Sequence, residues 1–270
     1  MYDPTSSRLL SVESTRVNKV LMEMPKRQPS DGEKVKGETP LGLMRVKKVF
    51  TDSENRKVME INVLPSKYCT FKCVFCPIGQ AGEQTEEAFR FEETAPFILF
   101  LAEQIDAEKP DVLFINSMGE SFANGQLEEI IALAKGKNVQ ASLYTNGYLL
   151  GNPDFAKIAS LCDEVSGEIK AVNEPSFQKL QRPLPGYTIK NYLENMTRFR
   201  ESYKGRFTVY VTLIKGANND PDSVEWIRKA LRLLNPTSIV FETFTDEKFG
   251  KAFGIPEEML EEIKQKLAKE

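Results

Sequence analysis

From about residue 46 onward, two kinds of segment alternate along this chain, and they differ in the spacing of their hydrophobic residues. Short runs with period two, or with nearly every residue apolar, predict strands over 59–64, 111–116, 140–145, 164–170, 207–214 and 238–243. Longer segments in which apolar residues recur every three or four positions predict helices. These helices are expected over 85–105, 126–134, 154–161, 176–181, 189–203, 222–234 and 256–267.

Strands that alternate with helices six times predict parallel βαβ units. The expected fold class is therefore α/β, either a partial (β/α)6 barrel or an open doubly wound sheet. In both architectures ligands bind at the carboxyl ends of the strands. We expect one barrel domain over residues 46–270. A loop-rich extension over 1–45 is expected before it, because polar residues and structure breakers dominate the stretch 27–34.

The composition is ordinary for a soluble globular protein: of 270 residues, 41% are apolar and 28% are charged. No apolar run approaches a membrane span, and the first residues lack the basic and apolar segments of a secretory signal. We therefore expect no membrane partner and a cytoplasmic location. The formal net charge of −3 argues against a surface that binds nucleic acid over its whole extent, although a local basic patch stays compatible with it.

The chain has four cysteines and no histidine. The absence of histidine excludes Ser-His-Asp triads, Cys-His proteases and His-ligated zinc or non-haem iron sites. A metal site must then use thiolates, carboxylates or backbone oxygens. Three of the cysteines lie too close together for a disulfide scaffold, and their spacing predicts metal ligands that stay reduced in a cytosol.

These three cysteines, Cys69, Cys73 and Cys76, lie in one loop directly after the first predicted strand. The loop therefore belongs at the carboxyl-terminal mouth of the sheet. Thiolates three and four positions apart can hold one face of a cubane iron–sulfur cluster. Three thiolates for four irons leave one iron without a protein ligand, and an open coordination site implies a bound substrate or cofactor.

Two other interpretations of the cysteine loop are a zinc knuckle and a redox disulfide. Structural zinc takes four ligands, but the fourth cysteine, Cys162, stands far along the chain at a predicted helix end. A redox disulfide needs only two thiols. We expect Cys162 to be a small buried apolar residue, which leaves no ligands for a second cluster.

The motif Cys-x-x-x-Cys-x-aromatic-Cys after a first strand resembles the signature of the radical SAM superfamily. The resemblance implies a [4Fe–4S] cluster on Cys69, Cys73 and Cys76, whose open iron binds the amino and carboxylate groups of S-adenosylmethionine. It implies reductive cleavage of the carbon–sulfur bond to methionine and a 5′-deoxyadenosyl radical, which takes a hydrogen atom from a substrate. It also implies that Phe75 lies near the adenine and that the fold is the partial parallel barrel.

The ends of the second and third strands resemble cofactor-binding elements of the same superfamily. Ser117, Gly119 and Glu120 stand in a segment similar to the Gly-Glu-Pro element that binds the methionine amino group, with Ser121 in place of the proline. Asn146 lies in a Thr-Asn-Gly element that is frequent in the superfamily. Ordinary strand-to-helix turns are the alternative interpretation of both segments.

The fourth and fifth strands carry the remaining predicted cofactor residues. Glu168 and Lys170 share one strand face, so Glu168 is a candidate for the ribose hydroxyls and Lys170 for the cofactor carboxylate. The alternative is an ion pair inside the barrel, and many relatives have aspartate where Lys170 stands. Ile214 resembles the residue that packs on the adenine, with Asn218 or Asn219 near its edge, although a buried strand isoleucine needs no function.

The resemblance extends from about residue 49 to about residue 246 and is closest to one branch. That branch is the compact Fe–S oxidoreductases grouped with the wyosine-base enzymes of tRNA. It is carried by segments 62–67, 78–80, 181–183 and 216–220. A wyosine-type role predicts a basic surface for tRNA and a lysine for a pyruvate Schiff base, with Lys170 or Lys215 as candidates.

Three classes of function follow from these patterns. The first is a radical SAM enzyme that modifies RNA or a small molecule. The second is an activase that places a glycyl radical on a partner protein, and the third is a cluster-binding module without SAM chemistry. Radical methyl transfer and other chemistry on a protein complete the alternatives. Family analogy implies a flavodoxin or ferredoxin as electron donor.

Overall fold

The computed structural model describes residues 41–268. The predicted extension over 1–45 lies outside the described residues as far as residue 40, so its role and the proposed domain division stay predictions. No helix in the described range is long and apolar enough to cross a lipid bilayer.

Seven strands form one sheet, and two shorter strands form a small second sheet. The sheet order is β1-β2-β5-β6-β7-β8-β9, in which β1 is antiparallel to β2 and every other neighbouring pair is parallel. The large sheet curls into a half barrel, which confirms the α/β fold class and the partial parallel barrel. The strands are β1 Arg45–Thr51, β2 Lys57–Asn62, β3 Tyr68–Cys69, β4 Glu83–Gln84, β5 Val112–Ile115, β6 Gln140–Tyr144, β7 Glu164–Ile169, β8 Arg206–Leu213 and β9 Ser238–Thr243.

Most of the helices connect one parallel strand to the next, as the βαβ pattern predicts, and the last two follow the final strand. Four of them begin at a side-chain cap, in which Asn152, Asn173, Thr188 or Asp220 accepts a hydrogen bond from a backbone N–H of the first turn. The helices are α1 Thr94–Glu108, α2 Leu127–Gly136, α3 Pro153–Ala159, α4 Glu174–Ser176, α5 Ile189–Ser202, α6 Pro221–Leu234, α7 Gly250–Phe253 and α8 Glu257–Ala268.

The two faces of the parallel sheet differ in chemistry. Alternate residues such as Met59, Leu113 and Leu143 are fully buried and belong to the apolar core under the helices. Most of the residues between them lie on the concave face and are polar, such as Glu60 and Ser142, although Phe114 stands between these two. This alternation gives the half barrel a polar interior that opens at the carboxyl ends of the strands.

Two of the predicted helices were placed wrongly in part. The helix expected from residue 85 begins at Thr94, because the preceding segment is extended and Phe89 forms a β-bridge with Asn124. The helix expected over 176–181 is a short α4 followed by a π-helical turn, Phe177–Gln181. Tertiary pairing therefore overrides local periodicity at both places.

Candidate active site

The cysteine loop follows β2 and is held by the end of the π-helical turn. The backbone N–H of Val74 donates to the carbonyl of Leu180 at 2.8 Å, and that of Lys72 donates to the carbonyl of Gln181 at 3.1 Å. The N–H of Cys76 donates to the carbonyl of Cys73 at 3.1 Å. The first two bonds tie the loop to the π-helical turn, and the third closes a turn within the loop. The conformation of the loop is therefore defined by the protein itself.

The three thiols of this loop are free and partly exposed. Burial and the charge of Glu120 raise the pKa of Cys69 to about 12. Burial also raises the pKa of Cys73, against the opposing charge of Lys170. In the described part of the chain, no three His, Cys, Asp or Glu residues surround a point that a single metal ion could occupy. Thiols in this state become ligands when a positively charged group replaces their protons, and three thiols in one loop are the kind of donor set that an iron–sulfur cluster takes.

Phe75 lies under the loop in a cluster of aromatic rings. It is 2% exposed, and its ring centroid lies 5.0 Å from that of Phe244 and 5.8 Å from that of Phe253. The ammonium of Lys170 lies 5.8 Å from the centroid of the Phe75 ring. The aromatic residue of the motif thus joins the cysteine loop to the ends of β7 and β9.

Gly119 brings the loop after β5 into direct contact with the cysteine loop. Its φ is +151°, and a Cβ at this position would lie 2.0 Å from the carbonyl oxygen of Tyr68. The backbone N–H of Glu120 donates to that same oxygen at 2.7 Å. Next to it, the hydroxyls of Ser117 and Ser121 share a hydrogen bond of 2.7 Å. Only glycine permits this approach of the two backbones.

The carboxylate of Glu120 is buried, and only one of its two oxygens is hydrogen-bonded. Its Oε2 accepts hydrogen bonds from the Thr145 hydroxyl at 2.9 Å and from the Asn146 N–H at 3.0 Å. Its Oε1 has no partner in the structure. Burial raises the pKa of Glu120 to about 7, against these hydrogen bonds. An unpaired buried carboxylate oxygen is a ready acceptor for a cation that donates hydrogen bonds.

Asn146 connects the end of β6 to the cysteine loop. Its Nδ2 donates to the hydroxyl of Thr70 at 2.9 Å and lies 4.0 Å from the sulfur of Cys69. Its Oδ1 accepts from the N–H of Tyr148 at 3.0 Å. The Thr-Asn-Gly element is therefore a turn that also positions a predicted ligand.

Glu168 and Lys170 form an ion pair at the end of β7, with 2.5 Å between Lys170 Nζ and Glu168 Oε2. The hydroxyl of Tyr144 donates to the same oxygen at 2.7 Å. Burial lowers the pKa of Lys170, but the charges of Glu168 and Cys73 outweigh it, so the net shift is upward. Lys170 is therefore held as an ammonium on the concave face. Lys215, by contrast, is exposed.

Ile214 and Asn218 lie at the end of β8, and both are buried. The Asn218 Oδ1 accepts from the N–H of Ile214 at 2.6 Å. Its Nδ2 donates to the carbonyls of Lys170 at 2.9 Å and of Thr212 at 2.8 Å. The amide thus ties the ends of β7 and β8 together and has no donor left over.

The family model of the radical SAM superfamily matches residues 63–230, which is more than half of the chain and includes the cysteine loop and the strand ends described above. This chain belongs to the radical SAM superfamily. Its cysteine loop follows the first parallel strand, which is the place in the fold where the superfamily motif was expected.

Curated relatives of this radical SAM protein include UPF0026 proteins of Methanocaldococcus jannaschii and Helicobacter pylori. The first is 25% identical over 190 residues, which are 69% of this chain and 59% of the relative. The second is 27% identical over 209 residues, which are 76% of this chain and 67% of the relative. The chain thus spans about three fifths of the length of the first relative.

Solved structures of radical SAM proteins share the fold at low identity. One is TYW1 with a lysine-pyruvate adduct bound, at 16% identity and a TM-score of 0.58, with 78% of this chain and 72% of that chain covered. Another is a radical SAM methyltransferase from Sphaerobacter thermophilus, at 16% identity and a TM-score of 0.54, with 81% and 69% covered.

Three side chains of the site were not predicted from the sequence. Tyr144 was assigned to a strand without a role, although its place two residues after Ser142 puts it on the polar concave face. The Tyr192 hydroxyl donates to the carbonyl of Asn146, and the Gln181 carbonyl accepts from the N–H of Lys72 in the cysteine loop. Tyr192 follows helical periodicity, so no local signal distinguishes it, whereas Gln181 belongs to the segment 181–183 that carries the resemblance, although no role was assigned to it.

Proposed function

We propose that the protein binds a [4Fe–4S] cluster through Cys69, Cys73 and Cys76 and cleaves S-adenosylmethionine reductively. The observation that carries the proposal is a loop of three free thiols beside the buried carboxylate of Glu120, whose Oε1 has no partner. When bound, the cluster supplies the electron that breaks the carbon–sulfur bond, giving methionine and a 5′-deoxyadenosyl radical that takes a hydrogen atom from the substrate.

The loop after β5 is proposed to bind the methionine end of the cofactor. The free Oε1 of Glu120 accepts a hydrogen bond from the ammonium, and the charge pair holds the carboxylate ionised. Gly119 allows the backbone to approach, while Ser117 supplies a hydroxyl at the same turn. Asn146 keeps Cys69 at the required side of the loop through its bond to Thr70.

The concave face is proposed to bind the rest of the cofactor. Glu168, oriented by the Tyr144 hydroxyl, accepts from the ribose hydroxyls, and Lys170 neutralises a carboxylate. Phe75 and Ile214 supply apolar surface for the adenine. Since the Asn218 amide is already used by the strand ends, its proposed role is to hold the rim on which these groups stand.

The substrate is proposed to be a polar small molecule or a nucleotide of RNA that enters the concave face. A wyosine-type Schiff base needs a neutral lysine. Lys170 is held as an ammonium by Glu168, and Lys215 is exposed at the surface, so neither lysine favours that chemistry. Activation of a partner protein stays a prediction that no feature of the site favours.

The proposed setting is a reducing cytoplasm with a low-potential one-electron donor. Three neighbouring free thiols persist only where thiols stay reduced. We propose a flavodoxin or ferredoxin as the class of electron donor. Because the first step would then be electron transfer from this donor, the protein is proposed to be an oxidoreductase.

The decisive experiment is anaerobic reconstitution of the purified protein with iron and sulfide. We expect about four irons per chain, and 5′-deoxyadenosine after addition of dithionite and S-adenosylmethionine. The variant Cys73→Ala should lose both, whereas Cys162→Ala, which removes a thiol outside the loop, should keep both. An intact four-iron cluster that yields no 5′-deoxyadenosine would refute the proposed function.

The substrate is then found by isotope transfer. Deuterated candidate small molecules and RNA are each incubated with the active enzyme, and 5′-deoxyadenosine is analysed by mass spectrometry. Deuterium in the product identifies the compound from which the hydrogen atom was taken.

A further inference from the structure

Gln181 is a fully buried amide whose polar atoms have no partner. Its exposed fraction is 0%, and neither Nε2 nor Oε1 makes a hydrogen bond. Over the described residues it is the one side chain that is buried and unpaired at two polar atoms. Buried amides are almost always hydrogen-bonded, so an unpaired one indicates a missing partner.

The backbone around Gln181 is the surface against which the cysteine loop packs. The carbonyl of Leu180 accepts from the N–H of Val74, and the carbonyl of Gln181 accepts from the N–H of Lys72. Because Lys72 and Val74 are the two sequence neighbours of Cys73, these bonds hold Gln181 beside the middle cysteine of the motif.

The Gln181 side chain lies near the buried hydroxyl of Tyr192, without a hydrogen bond of ordinary geometry between them. Burial raises the pKa of Tyr192 well above its usual range; the charges of Glu168 and Cys73 raise it further, and the amide opposes them. The Tyr192 hydroxyl donates to the carbonyl of Asn146 at 2.6 Å. The amide and the phenol therefore lie in one buried neighbourhood, which adjoins the backbone on either side of Cys73.

We propose that the Gln181 amide donates a hydrogen bond to the Cys73 thiolate or to an adjacent sulfide of the bound cluster, and so raises the cluster's reduction potential. This inference rests on the proposed function. Hydrogen bonds from N–H groups stabilise the more negative, reduced form of a cluster, and they are a principal control on its potential. Gln181 thus contacts the cofactor and tunes its potential, although it takes no part in the bond that breaks.

The test is a redox titration of the loaded protein without S-adenosylmethionine, followed by electron paramagnetic resonance. In Gln181→Met, which keeps the length of the side chain, the ratio of reduced to oxidised cluster at a fixed potential should fall about tenfold. That change equals a downward shift of about 59 mV for a one-electron couple. The control Gln84→Met removes an amide that donates only to the carbonyls of Thr70 and Arg182, and it should keep the wild-type potential.

A second measurement needs no change at Gln181. The Gln80 amide donates to the backbone carbonyl of Cys73, so Gln80 is a second glutamine near the cluster that must be controlled for. In wild-type protein labelled with ¹⁵N-glutamine, the reduced cluster should show a hyperfine coupling to nitrogen that persists in Gln84→Met and in Gln80→Met. A wild-type potential in Gln181→Met, or the absence of a persisting coupling, would overturn the inference and favour a buried water as the partner. Failure of the wild-type protein to bind any cluster would instead count against the proposed function.

Discussion

The two oxygens of Glu120 have unlike surroundings, although they belong to one carboxylate. Oε2 accepts hydrogen bonds from Thr145 and Asn146, whereas Oε1 makes no hydrogen bond. The superfamily motif identified Glu120 and Gly119 from the sequence alone. Gln181 and Tyr192 could not be identified in this way, because their unusual surroundings come from segments far apart in the chain.

Glu120 should make the stability of the apoprotein depend on pH. Its pKa is raised to about 7 in the folded state, so between the unfolded value near 4.5 and pH 7 the folded protein binds a proton that the unfolded chain does not. The free energy of unfolding should therefore fall as pH rises, by roughly 2 to 3 kcal/mol between pH 5 and pH 8. Because the chain has no histidine, few other groups titrate in this window.

Urea unfolding of the wild type and of Glu120→Gln at several pH values measures this dependence. The glutamine variant should have a nearly flat profile and should exceed the wild type in stability at pH 8. Parallel profiles for the two proteins would contradict the assignment.

Gly119 should not tolerate a side chain. Gly119→Ala places a Cβ 2.0 Å from the Tyr68 carbonyl, next to Cys69, so the loop must move away from the cysteine loop. We expect a loss of about 3 kcal/mol or more in unfolding free energy, together with reduced iron binding. Gly136→Ala is the control, since a Cβ at the end of α2 meets nothing within 4 Å and should change stability by less than about 1 kcal/mol.

At the scale of elements, all six predicted parallel strands are present, and each of them is the sheet neighbour of the next one along the chain. Period-two alternation and β-branched residues are strong local signals, which is why these strands could be found. The antiparallel β1, the short β3 and β4, and the late start of α1 could not be found, because pairing with distant segments determines them.

The stability of the structure at the ends of β7 and β8 should depend on the side-chain amide of Asn218. Asn218→Ala leaves the Ile214 N–H and the carbonyls of Lys170 and Thr212 without their partner. We expect a loss of about 2 to 4 kcal/mol in unfolding free energy, measured in urea. Asn219→Ala removes two exposed hydrogen bonds, one from the Gly216 N–H and one to the Met259 sulfur, and should cost less than about 1 kcal/mol. Equal effects of the two variants would show that Asn218 does not hold the rim.

At the scale of the whole molecule, the half barrel brings the ends of six parallel strands and one loop to a common mouth. The fold class and the place of the site could be predicted because parallel strands carry their ligands at one edge. The polar concave face also follows from alternation. The hydrogen bonds between the cysteine loop and the π-helical turn could not be predicted, because they join residues near 73 to residues near 181.

Cluster binding should stabilise the whole fold. The cysteine loop contacts segments from several parts of the chain, so a ligand that binds only the folded loop shifts the folding equilibrium. The reconstituted protein should melt at least about 5 °C above the apoprotein under anaerobic conditions. Cys73→Ala should show no such rise after the same treatment, and a rise of equal size in that variant would indicate unspecific iron binding.

The high pKa values of Cys69 and Cys73 also affect how fast these thiols of the apoprotein are oxidised in air. Alkylating agents and peroxide attack thiolates, and a thiol with a pKa of about 12 supplies almost none at neutral pH. The burial that raises these pKa values therefore also slows the oxidation of Cys69 and Cys73 before iron binds. Because both thiols are protonated at neutral pH, assembly of the cluster releases their protons.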